Sequence, residues 1–123
     1  MAYKTYIQFP TVLGESQDRV HLGWTAVDSW SLGAQQAAPV GHPVEDSFTF
    51  TSNDGISANA FRQAVTSGKI FDKVIFDAMC ENGNLYVRHE MRSAKIAQYT
   101  DNAASYIVVL SFDSLDSVHH PPA

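Results

Sequence analysis

The chain has 123 residues, a length that suits one compact domain and is short for two. Apolar residues make up 45% of it and charged residues 17%, and the formal net charge is -5 with only eight Lys and Arg. These values exclude the concentrated basic surface that nucleic-acid binding needs, so we expect neither DNA nor RNA as a partner.

The first predicted elements are two strands. Residues 3–9 are rich in Tyr, Ile and Phe, and Pro10 ends this strand because it lacks a backbone donor. From Trp24 onward the side chains alternate with a period of two, which predicts a second strand with Trp24 and Trp30 on one face. Asp28 lies between them on that face. It must therefore be near a strand end, meet a partner, or mark a bulge that flips the register.

The centre of the chain predicts a loop, a strand and a helix. The segment Gly33–Glu45 has no periodicity and contains glycine and proline, which is typical of a loop. Asp46–Thr51 alternates again and predicts a third strand. Residues 57–67 show helical spacing, with Ser57 as the expected N-cap and Gly68 as the stop. Three turns of helix are too short to be stable alone, so the apolar side must dock on a sheet.

The C-terminal half predicts two hairpins. Lys73–Glu81 forms one strand, Asn82-Gly83 is the preferred dipeptide of a type I′ turn, and Leu85–Tyr99 returns as a long strand. The polar segment Thr100–Ala104 then turns the chain into a strand at Ser105–Asp113. Both faces of this last strand are largely apolar, so we expect both to be buried.

Together the elements predict a mainly β fold. We expect an antiparallel β-barrel or sandwich of six or more strands with one short α-helix at about residues 57–67. Residues 1–113 should form a single domain of this kind, and residues 114–123 a flexible C-terminal tail, because they carry no core pattern. The single Cys80 lies among apolar residues and is expected in the core.

Two features bear on the location of the protein. No apolar stretch approaches the roughly 18 to 20 residues that cross a bilayer. The N-terminus also lacks a charged region followed by a long apolar core. We therefore expect a protein that is made in the cytoplasm without a signal peptide.

Little in the sequence predicts catalysis. Ser16, with His21 as base and Asp18 as orienting group, comes nearest to a triad, but Asp18 stands where a nucleophile elbow needs its second glycine. Turn formation is the favoured interpretation of this segment. The five histidines show no spacing typical of zinc ligands. We expect no catalytic residue, no metal, no cofactor and no enzyme activity.

The order of several short motifs resembles one known family. Gly14-Glu15-Ser16, then Ser29–Gly33, and then the strand, helix and glycine within Asp46–Gly68 resemble the Hcp family, the tube-forming proteins of bacterial type VI secretion systems. The resemblance implies a small β-barrel, six copies of which close into a ring, and rings that stack into a tube. It also implies effectors bound in the channel, sheath or tip proteins as partners, and expulsion from the cell by a contractile machine.

Two departures from the family limit what the resemblance implies. The loop Gly33–Glu45 is brief where many members carry a longer loop that helps ring stack on ring, and little follows Phe112. Ring formation is therefore better supported than stacking. The family supplies no catalytic motif to transfer. The interface residues that we expect are Glu15, Ser16, Gln35, Gln36, Pro39, Val40 and His42.

Other functions stay open at this point. A monomeric binding module or secreted effector on the same barrel could engage sugar or protein through Trp24 or Trp30, if either is exposed. Core packing is the favoured role for both tryptophans. An enzyme would show hydrolase activity that is lost in Ser16→Ala.

Overall fold

The computed structural model describes residues 4–33, 47–80, 84–102 and 104–119. The elements are β1 (Lys4–Gln8), β2 (Thr25–Val27), β3 (Ser29–Gly33), β4 (Ser47–Ser52), α1 (Gly55–Ser67), β5 (Ile70–Met79), β6 (Leu85–Asn102), β7 (Ser105–Ser111) and β8 (Ser114–His119). Every strand pairing is antiparallel. The predicted mainly β fold with one helix is therefore confirmed.

The strands form one long sheet in the order β2-β1-β5-β6-β7-β4-β3, with β8 also paired to β6. The two end strands, β2 and β3, are consecutive in the chain and are separated only by Asp28. The sheet must therefore curl back on itself so that one short segment can serve both ends. The result is a sandwich around a single core rather than a closed ladder of hydrogen bonds.

The bend at Asp28 corrects the prediction of one continuous strand. Its backbone N–H donates to the Thr51 carbonyl at 2.8 Å, and the side-chain alternation restarts after it. Trp24 packs edge-on against His21, with ring centroids 4.6 Å apart, whereas Trp30 packs against Phe76 at the margin of the core, at 4.7 Å. The expectation that both tryptophans share a face is wrong. Of the roles considered for Asp28, the structure supports two: it lies at a strand end, between β2 and β3, and the register changes there.

The core is built from inward-facing aromatic side chains. Alternation along β4 buries Phe48 and Phe50 completely, and α1 contributes Phe61, which is also 0% exposed. The ring of Phe9 lies 4.7 Å from Phe61 and 5.1 Å from Phe71, centroid to centroid, so it joins the helix to the sheet. Each of these burials stabilises the fold by about 1.5–3 kcal/mol. Docking on this cluster is what holds a helix of 13 residues.

The start of α1 differs from the prediction, and its end confirms it. Asp54, not Ser57, is the N-cap, because its carboxylate accepts hydrogen bonds from the amides of Ile56 and Ser57. Ser57 is buried, and its hydroxyl lies 2.7 Å from that of Thr25 on β2. Gly68 ends the helix in the left-handed conformation, with φ of 69°. Among the described residues, no helix is long and apolar enough to cross a membrane.

The C-terminal segment differs from the expected tail. Ser114–His119 forms β8, which pairs with β6 from Val87 to Arg92 on the same side as β7. Five of its six side chains are exposed, so backbone hydrogen bonds rather than burial hold it, and the sequence shows no core pattern there. The predicted turn at Asn82-Gly83, most of the loop Gly33–Glu45 and residues 120–123 lie outside the described residues.

We expect Asp54→Ala to lower the free energy of unfolding by about 2 kcal/mol, the upper end for an N-cap, because the side chain is 2% exposed and also accepts the Glu15 amide. Urea unfolding followed by circular dichroism measures the change. Asn59→Ala, an exposed position of the same helix, is the matched control and should not destabilise the protein. Equal stability of the Asp54→Ala and Asn59→Ala variants would contradict the assignment of the cap.

Candidate functional site

The loop between β1 and β2, residues 9–24 and here called the β1–β2 loop, contains the residues that the sequence singled out. Its backbone is internally hydrogen-bonded: the amide of Gly14 donates to the carbonyl of Gly23 at 2.7 Å, and that of Ser16 donates to Trp24 at 3.0 Å. A Cβ at position 14 would lie 2.4 Å from the Trp24 carbonyl oxygen, so only glycine fits. The loop is therefore an ordered structure of its own.

A cluster of charged and polar groups, centred on the buried His21 and Asp77, fastens this loop to the sheet. His21 is 0% exposed, with Nδ1 2.6 Å from Asp18 Oδ2 and Nε2 2.8 Å from Asp77 Oδ2. The Asp77 carboxylate also accepts two hydrogen bonds of 2.7 Å from the Arg88 guanidinium. Tyr6 stacks on the imidazole with centroids 4.5 Å apart. Four separate parts of the chain meet at this cluster.

The charges in the cluster shift each other's protonation equilibria. The hydrogen bonds to Asp77 raise the pKa of the Arg88 guanidinium above its usual value. The hydrogen bond from His21 lowers the pKa of the exposed Asp18 carboxyl. Both shifts favour the charged forms, as expected for groups that bind partners of opposite charge.

The geometry does not assemble a catalytic triad from Ser16, Asp18 and His21. The Ser16 hydroxyl accepts a hydrogen bond from the Asp18 amide at 3.2 Å, as in an ordinary turn. Both ring nitrogens of His21 face carboxylate oxygens, so neither is available to take a proton from a serine. In this arrangement the three residues fold the loop.

Glu15 fastens the other side of the loop to the helix. Its backbone N–H donates to Asp54 Oδ2 at 2.7 Å, and its own Oε1 accepts from the Ile56 amide at 3.1 Å. Of the interface residues expected from the sequence, Glu15 is exposed and Ser16 is buried. The remaining ones lie outside the described residues: Gln35, Gln36, Pro39, Val40 and His42.

Three aliphatic side chains stand exposed between the loop and the start of α1. Leu13 is 68% exposed, Leu22 67% and Ile56 57%. They line an open cleft of about 470 Å³, here called the apolar cleft, whose remaining lining residues are Gly14, Glu15, Ser16, Gln17 and Gly23. No pattern in the sequence indicates this cleft, because a loop has no periodicity from which the direction of a side chain can be predicted.

One outer face of the sandwich carries almost no charge. The strands β3, β4, β7 and β6 are paired so that their outward side chains lie in rows across the sheet. Within one of these rows, Ser29 Oγ lies 2.7 Å from Thr51 Oγ1. Lys95 is the charged residue at the corner of this grid, opposite Ser111. The neutral face, as we call it, consists of Ser29, Ser31, Thr49, Thr51, Gln98, Thr100, Ile107 and Val109.

The opposite outer face is charged and ion-paired. Lys73 Nζ lies 3.4 Å from Glu90 Oε1, and Arg92 Nε lies 3.5 Å from Asp116 Oδ2. The Asp77–Arg88 pair belongs to the same face. Charges on the strands are thus concentrated on one side of the sandwich.

The tryptophans do not form an open stacking platform. Trp30 is 37% exposed, and its ring packs against Phe48, Phe76 and His89. Trp24 is half-buried against His21. Both arrangements are typical of packing at the margin of a core. Among the described residues, no group of three or more His, Cys, Asp or Glu side chains is arranged so that it could hold a metal ion.

Comparison with known proteins gives a consistent result. The family model described as "Type VI secretion system effector, Hcp" matches residues 6–119. The crystal structure of Hcp1 from Salmonella typhimurium superposes with a TM-score of 0.86 at 21% identity, covering 97% of this chain and 87% of that one. Hcp2 from the same organism gives 0.77 at 19% identity, covering 95% and 85%. None of the curated proteins matches significantly.

A more distant structure has the same fold. A chain from the PVC sheath-tube complex, an extracellular contractile injection system in its extended state, superposes with a TM-score of 0.64. The identity is 10%, and the match covers 98% of this chain and 91% of that one. At such identities the likeness establishes the fold and nothing more.

We expect Asp77→Ala to destabilise the protein by about 3 kcal/mol, because it leaves the His21 and Arg88 side chains without their shared acceptor. Urea unfolding measures the loss. Asp101→Ala removes a carboxylate from an exposed pair with Arg62 and serves as the control, with a nearly unchanged urea midpoint. Similar midpoints for the two variants would show that the cluster contributes little.

The pH dependence of stability should depend in part on His89, which is 5% exposed and lies 2.7 Å from Ser117 Oγ. Burial, and then the nearby His119, hold the pKa of His89 below its ordinary 6.5. Just below pH 6.5 the unfolded chain therefore binds more protons at this site than the folded one. Lowering the pH through that value must then reduce the free energy of unfolding.

This effect can be measured by urea unfolding of the wild type and His89→Gln at pH 7.5 and pH 5.5. The wild type should lose more stability than the variant between the two values. An equal loss in both proteins would assign the pH dependence to other groups.

Proposed function

The chain belongs to the Hcp family of type VI secretion system proteins, and from this premise we propose that it is a structural component of the secretion tube. Six copies close into a ring, and rings stack into a tube that carries or chaperones effectors. Its partners are further copies of itself, sheath or tip proteins, and effectors. The protein leaves the cell when the tube is expelled. Its role in this proposal is structural rather than catalytic.

The observation that carries the proposal is the uneven distribution of charge over the outer surface. Each copy has a net charge of -5, so two copies repel each other at long range. Association therefore needs surfaces from which carboxylates are absent or already paired. The neutral face and the apolar cleft are such surfaces, and on the charged face Lys73 and Arg92 neutralise neighbouring acids.

The neutral face supports the part of the proposal that concerns cargo. A channel that passes proteins must bind them weakly, so that they can move on. Hydroxyl and amide groups stay hydrated and form no strong ion pairs with a charged cargo, while Ile107 and Val109 are half-buried and add little apolar surface. In this proposal the neutral face lines the channel.

Native mass spectrometry and light scattering across a range of concentrations test the assembly. We expect a species of six times 13.5 kDa that grows with concentration at the expense of the monomer. Electron microscopy of the same sample should show closed rings. A monomer of 13.5 kDa at every concentration would overturn the proposal and favour a monomeric binding module on the same fold.

A further inference from the structure

The apolar cleft places large aliphatic side chains in water on a rigid support. Leu13, Leu22 and Ile56 are each more than half exposed, and all three line the same cleft. Soluble proteins expose single apolar residues routinely, but a group of them around one depression marks an interaction site. Within the described residues, no contact explains why these side chains point outward.

The support of the cleft is fixed from both sides. Below it, His21 binds Asp18 and Asp77 and so ties the loop to the sheet. Above it, Glu15 exchanges hydrogen bonds with the start of α1 at Asp54 and Ile56. A surface that is ordered before binding loses little conformational entropy on binding, so its apolar contacts contribute more to affinity.

We propose that the apolar cleft is the surface by which one copy of this chain binds a second copy. The inference rests on the proposed function and assigns it a specific contact. In a ring the contact is heterologous, so the cleft of each copy packs against a different surface of its neighbour. The cleft is then the apolar centre of the contact, where a few buried side chains supply most of the affinity.

Charge favours a second copy as the occupant. Glu15 is the one charged residue among those that line the cleft, and its carboxylate already accepts a hydrogen bond at the positive end of α1. An approaching copy with a net charge of -5 therefore meets little repulsion here. A basic partner, by contrast, would find only the Glu15 carboxylate in the cleft, and that group already accepts the Ile56 amide.

The test is a double variant, Leu22→Gln with Ile56→Gln, in the full chain. Light scattering should show that the concentration needed for half assembly rises at least tenfold. Circular dichroism and the melting temperature, measured at a concentration where both proteins are monomeric, should stay as in the wild type, because both side chains are exposed. Ile70→Gln is the matched control, since Ile70 is 62% exposed but lies on β5 outside the cleft, and it should assemble as the wild type does.

Cross-linking supplies a second measurement that does not depend on loss of assembly. A benzophenone maleimide on Leu22→Cys should yield a covalent dimer of twice 13.5 kDa on illumination, whereas the same probe on Ile70→Cys should yield much less. The native Cys80 is 9% exposed and should react poorly with the reagent.

The outcomes separate the contact from the function. If the wild type assembles and the double variant assembles equally well, the inference about the cleft is wrong and the proposed function stands. The same holds if the double variant assembles but no longer binds sheath or effector proteins. If the wild type itself stays monomeric, both are wrong.

Discussion

The carboxylate of Asp77 is shared by a guanidinium and an imidazole, and all three groups lie against the outer side of the sheet. Such a carboxylate costs several kcal/mol to remove from water, and it is stable only where hydrogen bonds replace the lost hydration. Arg88 supplies two and His21 a third. The consequence reaches beyond the cluster, because His21 brings the loop that follows β1 back onto the sheet. Without it the apolar cleft would have no fixed geometry.

A second set of contacts joins the loop to the helix, and it centres on Asp54. The side chain caps α1 and accepts the Glu15 amide, its backbone amide donates to the Ser52 hydroxyl, and its carbonyl accepts from Tyr106 at 2.9 Å. Burial raises the pKa of the Tyr106 hydroxyl strongly, so this donor keeps its proton. Helix, loop, β4 and β7 are thus held at one point. The two anchors together tie the loop to the sheet on one side and to the helix on the other.

The sequence predicted those elements that are determined by the pattern of their own side chains. Alternation in β4 and in β7 indicated strands, and Gly68 indicated where the helix ends, because these signals depend on local geometry. The predictions failed where a contact with a residue far away in the sequence determines the local structure. Asp28 bends the chain because one segment must serve two ends of the sheet, and the carboxylate of Asp54 accepts the amide of Glu15, 39 positions away, in addition to its local cap bonds. β8 has no apolar pattern that could be recognised in the sequence, and its backbone hydrogen bonds to β6 hold it in the sheet.

The separation of charge between the two outer faces follows from the same topology. Alternation fixes which residues point outward, and β6 is long enough to take part in both halves of the sandwich, pairing with β7 in one and with β5 and β8 in the other. Its first half carries Arg88, Glu90 and Arg92 outward, and its second half carries Gln98 and Thr100. A single strand therefore passes from an ion-paired surface to a neutral one. An acidic protein built this way can meet copies of itself through the neutral and apolar parts of its surface, while its remaining charges keep it in solution.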